Sequence, residues 1–390
     1  MKIIIAPDSF KGSLCATDAA GIIARAAADV WPDAEILTLP LADGGEGTMD
    51  CILSATGARR IHARLHDPLG RRITADYGIH GNTAVMEMAA ASGLMRVSPY
   101  DRDILRSNTY GTGEMLQDAV LRGCRNIFIG IGGSATNDGG MGMAAALGVR
   151  FLDSHRQVLP PFPSSFRKIG SLDKTACDEF LKNVTVTVLC DVTNPLLGPA
   201  GATMVFSAQK NASPAEQLLL EEGLTHYADI VERYTETGLH EIPGSGAAGG
   251  LGFGLLAFCH AEIRSGIDAV LDLLEFDRKL VGADLVVTGE GRIDGQTAGG
   301  KACQGVARRC RAAGVPCVAV CGDRTPDADL LLSRGLTEIV TLRGSRSIED
   351  AIKNAAPLLR ETATDVFRRA EQNRLAGLPL FPTISDPAAL

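Results

Sequence analysis

Residues 126–142 read NIFIGIGGSATNDGGMG, and the rest of the chain can be laid out around them. The apolar run 127–131 has the composition of a strand buried on both faces of a parallel sheet. Gly132 and Gly133 end it, and Ser134, Thr136, Asn137 and Asp138 follow. After Gly139 and Gly140, residues 141–147 read as the start of a helix. Strand, polar glycine loop and helix together aim backbone N–H groups at an anion. Gly132, Gly133, Ser134, Thr136 and Asn137 are therefore the expected nucleotide-phosphate residues. A tight βα turn in any α/β protein would give a similar string.

The 390 residues suggest two domains, and 45% hydrophobic with 22% charged residues is ordinary globular composition. A net charge of -8 argues against nucleic acid as the main partner, but leaves room for a small anionic substrate in a local basic pocket. Ten cysteines are scattered without a CxxC pair, as expected of small buried hydrophobes in a reducing compartment. The N-terminal apolar run meets Pro7 and Asp8 too soon for a signal peptide, and no stretch has the length of a membrane span. The expectation is a cytoplasmic protein.

In chain order, residues 2–6 read as a strand, 7–13 as a polar loop, 17–30 as a helix and 35–41 as a second strand. A glycine-rich loop, 43–48, precedes a helix to about residue 56. In open parallel sheets ligands bind beyond the carboxyl ends of the strands, so Asp8, Ser9, Lys11, Asp43 and Glu46 share one rim. Residues 64–77, turning at 67–70, read as a hairpin, and 83–88 as a strand. Residues 107–113 open a helix to 122. The proline-bearing stretch 151–171 reads as an exposed loop, 184–190 as a strand ending at Asp191, and 214–234 as an amphipathic helix. A second glycine loop, 244–254, opens a helix to 260. The strand 284–288 is followed by GEGRID, 289–294, which does not read as strand, and then by a third glycine-rich turn and a helix within 295–313. Strands at 315–321 and 338–342 and a helical region 348–372, interrupted at Pro357, complete the pattern. The reading is α/β: a parallel domain built from both termini, residues 1–77 and 244–390, interrupted by a second mixed α/β domain, 78–243. Little order is expected beyond Gly377.

Three short motifs compete. Gly130, Gly132 and Ala135, with Asp153 downstream, approximate a dinucleotide fingerprint, which keeps a nicotinamide-dependent oxidoreductase acting on a small hydroxy acid open as an alternative. Gly252, Gly254 and Ala257 match as well, but within a helical run where close packing suffices. Residues 295–302 have the P-loop spacing with Ala302 in place of the Mg²⁺-holding hydroxyl, and Lys301 as a possible anion attractor.

The acids that follow strands say more: Asp8, Asp43, Asp191, Glu290 and Asp294, with Lys11 and Arg292 close to them in sequence and Lys210 in the stretch after Asp191. Phosphoryl transfer needs carboxylates for Mg²⁺ and for the proton of the attacking hydroxyl, and cations for the anionic reactants. Each acid alone could equally serve a turn or a helix cap. No GxSxG is present and the seven histidines are scattered, so no nucleophile–histidine pair stands out.

Seven segments in order, APDSFKGSL (6–14), PLADGGEGT (40–48), DPLGR (67–71), GIGGSATNDGGMG (130–142), CDVTNPLLGP (190–199), GSGAAGGLG (244–252) and TGEGRID followed by QT (288–297), give the chain a strong resemblance to the bacterial glycerate kinase family, the type that includes glycerate 2-kinases. The resemblance implies ATP-dependent phosphorylation of glycerate with Mg²⁺, on a flavodoxin-like domain interrupted by a second domain. One departure is visible: FSAQKN (206–211) stands where the family usually reads FGPQKGA, which puts that loop's conformation in question. From residue type and position, Asp191 is expected to ligate metal or accept the hydroxyl proton, with Glu290 and Asp294 as further metal ligands. Lys11 and Arg292 are expected to act in catalysis. Asp8, Ser9, Lys11, Asp43 and Arg292 are expected to hold glycerate.

Overall fold

The computed structural model describes residues 1–42, 44–45, 47–294, 302–342, 344 and 346–381. The expected residues Asp43, Glu46 and Lys301, the P-loop-like stretch 295–301 and the tail from 382 lie outside these. Among the described residues the strands are, in chain order, β1 (Lys2–Pro7), β2 (Glu35–Thr38), β3 (Arg59–His66), β4 (Arg72–His80), β5 (Thr83–Glu87), β6 (Asn126–Gly130), β7 (Arg150–Leu152), β8 (Ser171–Asp173), β9 (Thr185–Leu189), β10 (Glu262–Arg264), β11 (Leu285–Ile293), β12 (Cys317–Arg324) and β13 (Glu338–Thr341). The chain divides into two compact units. The first comprises Met1–Asp43, Asp50–Thr56 and Ile267–Leu390, the second Gly44–Met49 and Gly57–Gly266.

The first unit carries an all-parallel sheet in the order β2-β1-β11-β12-β13. Counted along this unit alone, that is the 2-1-3-4-5 order of flavodoxin-like sheets. Ile3, Ile4, Ile5 and Ala6 of β1 are fully buried, as a central strand covered on both faces requires. The helix Ala16–Val30 buries Ala19, Ala20, Ile23, Ala26 and Ala27, a stripe at helical spacing, and the Cys15 sulfur caps it by accepting from Asp18 N at 3.4 Å. This stripe joins the core formed with Phe367 and Ala370 of the helix Ala355–Leu375. Trp31 closes the contact: its indole N–H donates to Glu371 at 2.7 Å and its ring meets the edge of Phe367 at 5.4 Å.

The second unit has a six-stranded mixed sheet, β10-β9-β6-β5-β4-β3, parallel from β10 to β5 and antiparallel beyond. Its core holds an aromatic cluster around Tyr227 of the helix Pro214–Thr235: Phe166 stacks on it at 5.0 Å, and Phe151 and Phe253 each approach at 5.9 Å. That helix starts with a full capping box between Ser213 and Glu216.

Four expectations change. First, β4 pairs with β5, so the hairpin β3–β4 belongs to the second unit, and the boundaries drawn at 77/78 and 243/244 move to about 57 and 266. Second, the strand does not end at residue 288: β11 continues to Ile293, with Arg292 opposite Asp323 and Ile293 opposite Arg324 on β12. The glycines hid a strand whose ladder runs on, and whose buried Ile293 marks the alternation. Third, the stretch 151–171 is not only loop, because β7 and β8 pair antiparallel at its two ends. Fourth, the C-terminal helical break falls at Asn354, not Pro357, which sits in the first turn of the second helix, where its missing N–H costs nothing.

Close backbone packing gives this fold a sharp test. A Cβ on Gly254 would sit 2.7 Å from Gly140 Cα, whereas Gly21, inside a helix, has only the flexible end of Arg25 within reach at 3.6 Å. Gly254→Ala is expected to lose about 1–3 kcal/mol of unfolding free energy. Gly21→Ala is expected to gain up to about 1 kcal/mol. Urea unfolding of both variants checks the pair.

Candidate functional site

In the first unit, β1 lies between β2 and β11, so the chain leaves it to one side and returns on the other. The loop after β1 therefore abuts the end of β11: Asp8 N donates to Gly289 O at 2.8 Å. Asp8 accepts from Ser9 N at 2.6 Å, and Phe10 and Leu14 close a tight turn that leaves Lys11 exposed at its tip. Because β11 runs on as a strand, Glu290 and Arg292, two residues apart, share one face. The result is a cavity of about 280 Å³ whose lining includes five of the expected residues: Ser9, Lys11, Glu290, Arg292 and Asp294. Asp8 is buried and does not line it. Phe10, Asp323, Leu342, Ile348 and Ile352 do line it, and the sequence reading had not singled them out. Asp323 was within reach of the rule that found Asp8, since it too is an acid at the end of an apolar strand run.

Two cations and three carboxylates around one cavity suit a phosphate-bearing ligand accompanied by a hard metal ion. Among the described residues no three acidic, histidine or cysteine side chains form a ready metal cage. Mg²⁺ does not call for one, because it is usually held through one or two carboxylates together with substrate phosphates and waters. Glu290 and Asp294 fit that role.

In the second unit, the loop after β6 is held from three sides. Asp138, fully buried, accepts from Thr109 N and Oγ1 at 2.8 Å, from Gly142 N at 2.9 Å and from Gly140 N at 3.3 Å. Desolvation raises its pKa, and these donors oppose the shift. Tyr227 Oη donates to Gly139 O at 3.2 Å. Lys210, 2% exposed, donates to Ser134 Oγ at 2.7 Å and to Thr136 O at 2.6 Å. Gly249 packs so near that a Cβ there would meet Thr136 O at 1.9 Å, and its φ of +67° suits glycine besides. Gly132 and Gly133 remain exposed, while the Thr136 hydroxyl and the Asn137 amide oxygen are buried with no hydrogen-bond partner among the described residues. Asn137 Nδ2 donates to Thr203 Oγ1 at 3.1 Å.

Lys210 is the residue that the sequence reading undervalued. It stands 76 positions from Ser134, and only the fold joins them. The unusual FSAQKN segment also resolves here. Asn211 takes the left-handed φ of +70° at the position of the family's glycine, and asparagine is among the residues that best tolerate that region. Ser207, replacing the other glycine, donates to Thr203 O at 2.6 Å.

Asp191 follows β9, which pairs in parallel with β6, Leu189 lying opposite Gly130. Asp191 and Ser134 thus emerge from the same carboxyl edge of neighbouring strands. Asp191 is exposed and accepts from Gly266 N at 3.0 Å. The dinucleotide alternative loses its geometry. The helix Met141–Ala146 begins ten residues after Ile131, not directly after the glycines, and Asp153 uses its carboxylate on His155 N and Gln157 N, both at 2.8 Å.

The glycerate kinase family matches residues 3–371. The chain belongs to the glycerate kinase family. It is 43% identical to a glycerate kinase of Bacillus subtilis (strain 168), over 94% of this chain and 97% of that protein. It is 40% identical to the glycerate 2-kinase of Escherichia coli (strain K12), over 91% and 94%. A crystal structure assigned as a glycerate kinase 2 from Salmonella typhimurium LT2 superposes with a TM-score of 0.86 at 42% identity, covering 96% of this chain and 99% of that one. Family membership makes the chain a kinase, and the oxidoreductase alternative finds no support among these relatives. Among the described residues no helix is long and apolar enough to cross a membrane.

Burial gives Lys210 a measurable signature. Desolvation pulls its pKa from 10.5 down to about 7, and the charge of Asp138 offsets part of that shift. Between those values the unfolded chain holds a proton that the folded chain has released, so stability rises with pH across this window. Lys210→Met is expected to remove that rise, flattening the slope by up to about 1.4 kcal/mol per pH unit. Chemical denaturation from pH 7 to 10 reads the difference.

Proposed function

We propose that this kinase transfers the terminal phosphoryl group of ATP to D-glycerate, at the 2-hydroxyl, in the cytoplasm. The observation that carries the reading is the first unit's cavity, where Lys11, Arg292, Glu290 and Asp294 meet on a chain of this family. The named activities of the relatives from Bacillus subtilis and Escherichia coli support the substrate, and the latter supports the 2-position.

The roles follow from charge and exposure. Lys11 and Arg292 supply positive charge to the anionic groups of the reactants, where Arg can bind bidentately. The Gly132–Gly133–Ser134 turn, with Thr136, Asn137 and Lys210 behind it, receives a further anionic group through backbone N–H and hydroxyl donors. Lys210 grips the Ser134 oxygen, so the hydroxyl proton is left to point outward. Glu290 and Asp294 would hold Mg²⁺, which would supply neutralisation of the charge on the transferred group. Asp191, exposed beyond β9, accepts the proton of the attacking hydroxyl. Its use as a metal ligand is the second reading of the same carboxylate. The ten free cysteines are consistent with a reducing cytoplasm.

Coupled detection of ADP release with D-glycerate, ATP and Mg²⁺ is expected to show turnover, and phosphorus NMR is expected to identify 2-phosphoglycerate as the product. Lack of turnover would sink the reading. Asp191→Asn is expected to lower kcat by about 10²–10⁴-fold at an unchanged melting temperature. Near-normal turnover would remove Asp191 from the mechanism.

A further inference from the structure

The cavity of the first unit has two unlike walls. One is polar, with Lys11 and Arg292 beside carboxylates; the other is apolar, built by Leu342 and by the helix Ile348–Lys353. Ile348 and Ile352, one helical turn apart, are 52% and 44% exposed. Ala351 and Ala355 line the same wall and, being small, leave its surface open. A three-carbon hydroxy acid is polar along its whole length and gains nothing from covering such a wall. A purine does gain: it is a flat body whose faces bury apolar area against such a wall.

Position and size point the same way. The cavity opens where the sheet order reverses, between β1 and β11, and this switch point is where open α/β sheets hold nucleotides. At about 280 Å³ it lies near the lower end of small-molecule pockets, roughly 300–1,000 Å³, and exceeds what glycerate fills.

We infer that this cavity is the nucleoside pocket of the phosphoryl donor. The purine lies against Ile348, Ile352 and Leu342, and the phosphate chain runs toward Lys11 and Arg292. This assignment rests on the kinase reading and revises one part of the sequence expectation: Ser9, Lys11 and Arg292 serve the donor, and the glycerate carboxylate is held by other residues.

The double variant Ile348→Ser/Ile352→Ser tests it, because both side chains are half-exposed and the fold does not lean on them. The KM for ATP is expected to rise at least tenfold, with the KM for glycerate unchanged. In hydrogen exchange on the unaltered protein, ADP is expected to protect residues 348–355, and glycerate is not. A rise confined to the glycerate KM, no change in either KM, or protection of 348–355 by glycerate alone would each overturn the inference while leaving the kinase reading intact. The ADP measurement needs no turnover, so it also reads the pocket if glycerate proves not to be the acceptor.

Discussion

The first unit depends on one strand held between two partners. β1 hydrogen-bonds to β2 on one edge and to β11 on the other, although β11 lies more than 280 positions away in sequence. Its apolar run has no solvent face, and only the centre of a covered parallel sheet can satisfy both its backbone and its side chains. Once β1 is central, the loop after it must adjoin the end of β11. That adjacency sets Ser9 and Lys11 beside Glu290 and Arg292, so the chemistry of the cavity is a consequence of strand order.

The second unit solves a different problem. Its glycine loop must expose donors at the surface while burying a carboxylate, a lysine and an amide beneath them. Asp138 meets four donors and Lys210 meets two acceptors, so the polar groups under the loop are largely satisfied by the protein itself. Buried polar groups joined this way fix one loop geometry, since any shift strands a charge in a low-dielectric interior. The rigidity that a glycine-proline pair would bring elsewhere in the family is supplied here by the Ser207 hydroxyl and the left-handed Asn211.

Much of this was legible in the string. The strand runs at 2–6, 127–131 and 184–190 are apolar enough to be read directly, and strand-end acids and cations led to four residues of the cavity, with Ser9 beside them. What failed shares one cause: the deciding contact is distant or one-sided. Residues 289–294 do not look like strand because glycine and charge interrupt the apolar run, whereas their strand character comes from the ladder with β12. The hairpin β3–β4 carries no local sign of the sheet it joins, because β5 makes that choice. Lys210 could be noted only as a cation until the fold carried it to Ser134. The apolar wall at 348–352 was read simply as helix, since amphipathic spacing does not say whether an exposed face meets water or a ligand.

The long return from β1 to β11 also orders events in time. On the ribosome β1 emerges before its partner β11, which follows only after the whole second unit has been translated. Residues 57–266 can collapse around their own core while β1 waits with one edge unpaired. Pairing β1 with β11 is therefore a closure around a unit already translated, a high-contact-order step in which the earlier strand waits for the later one.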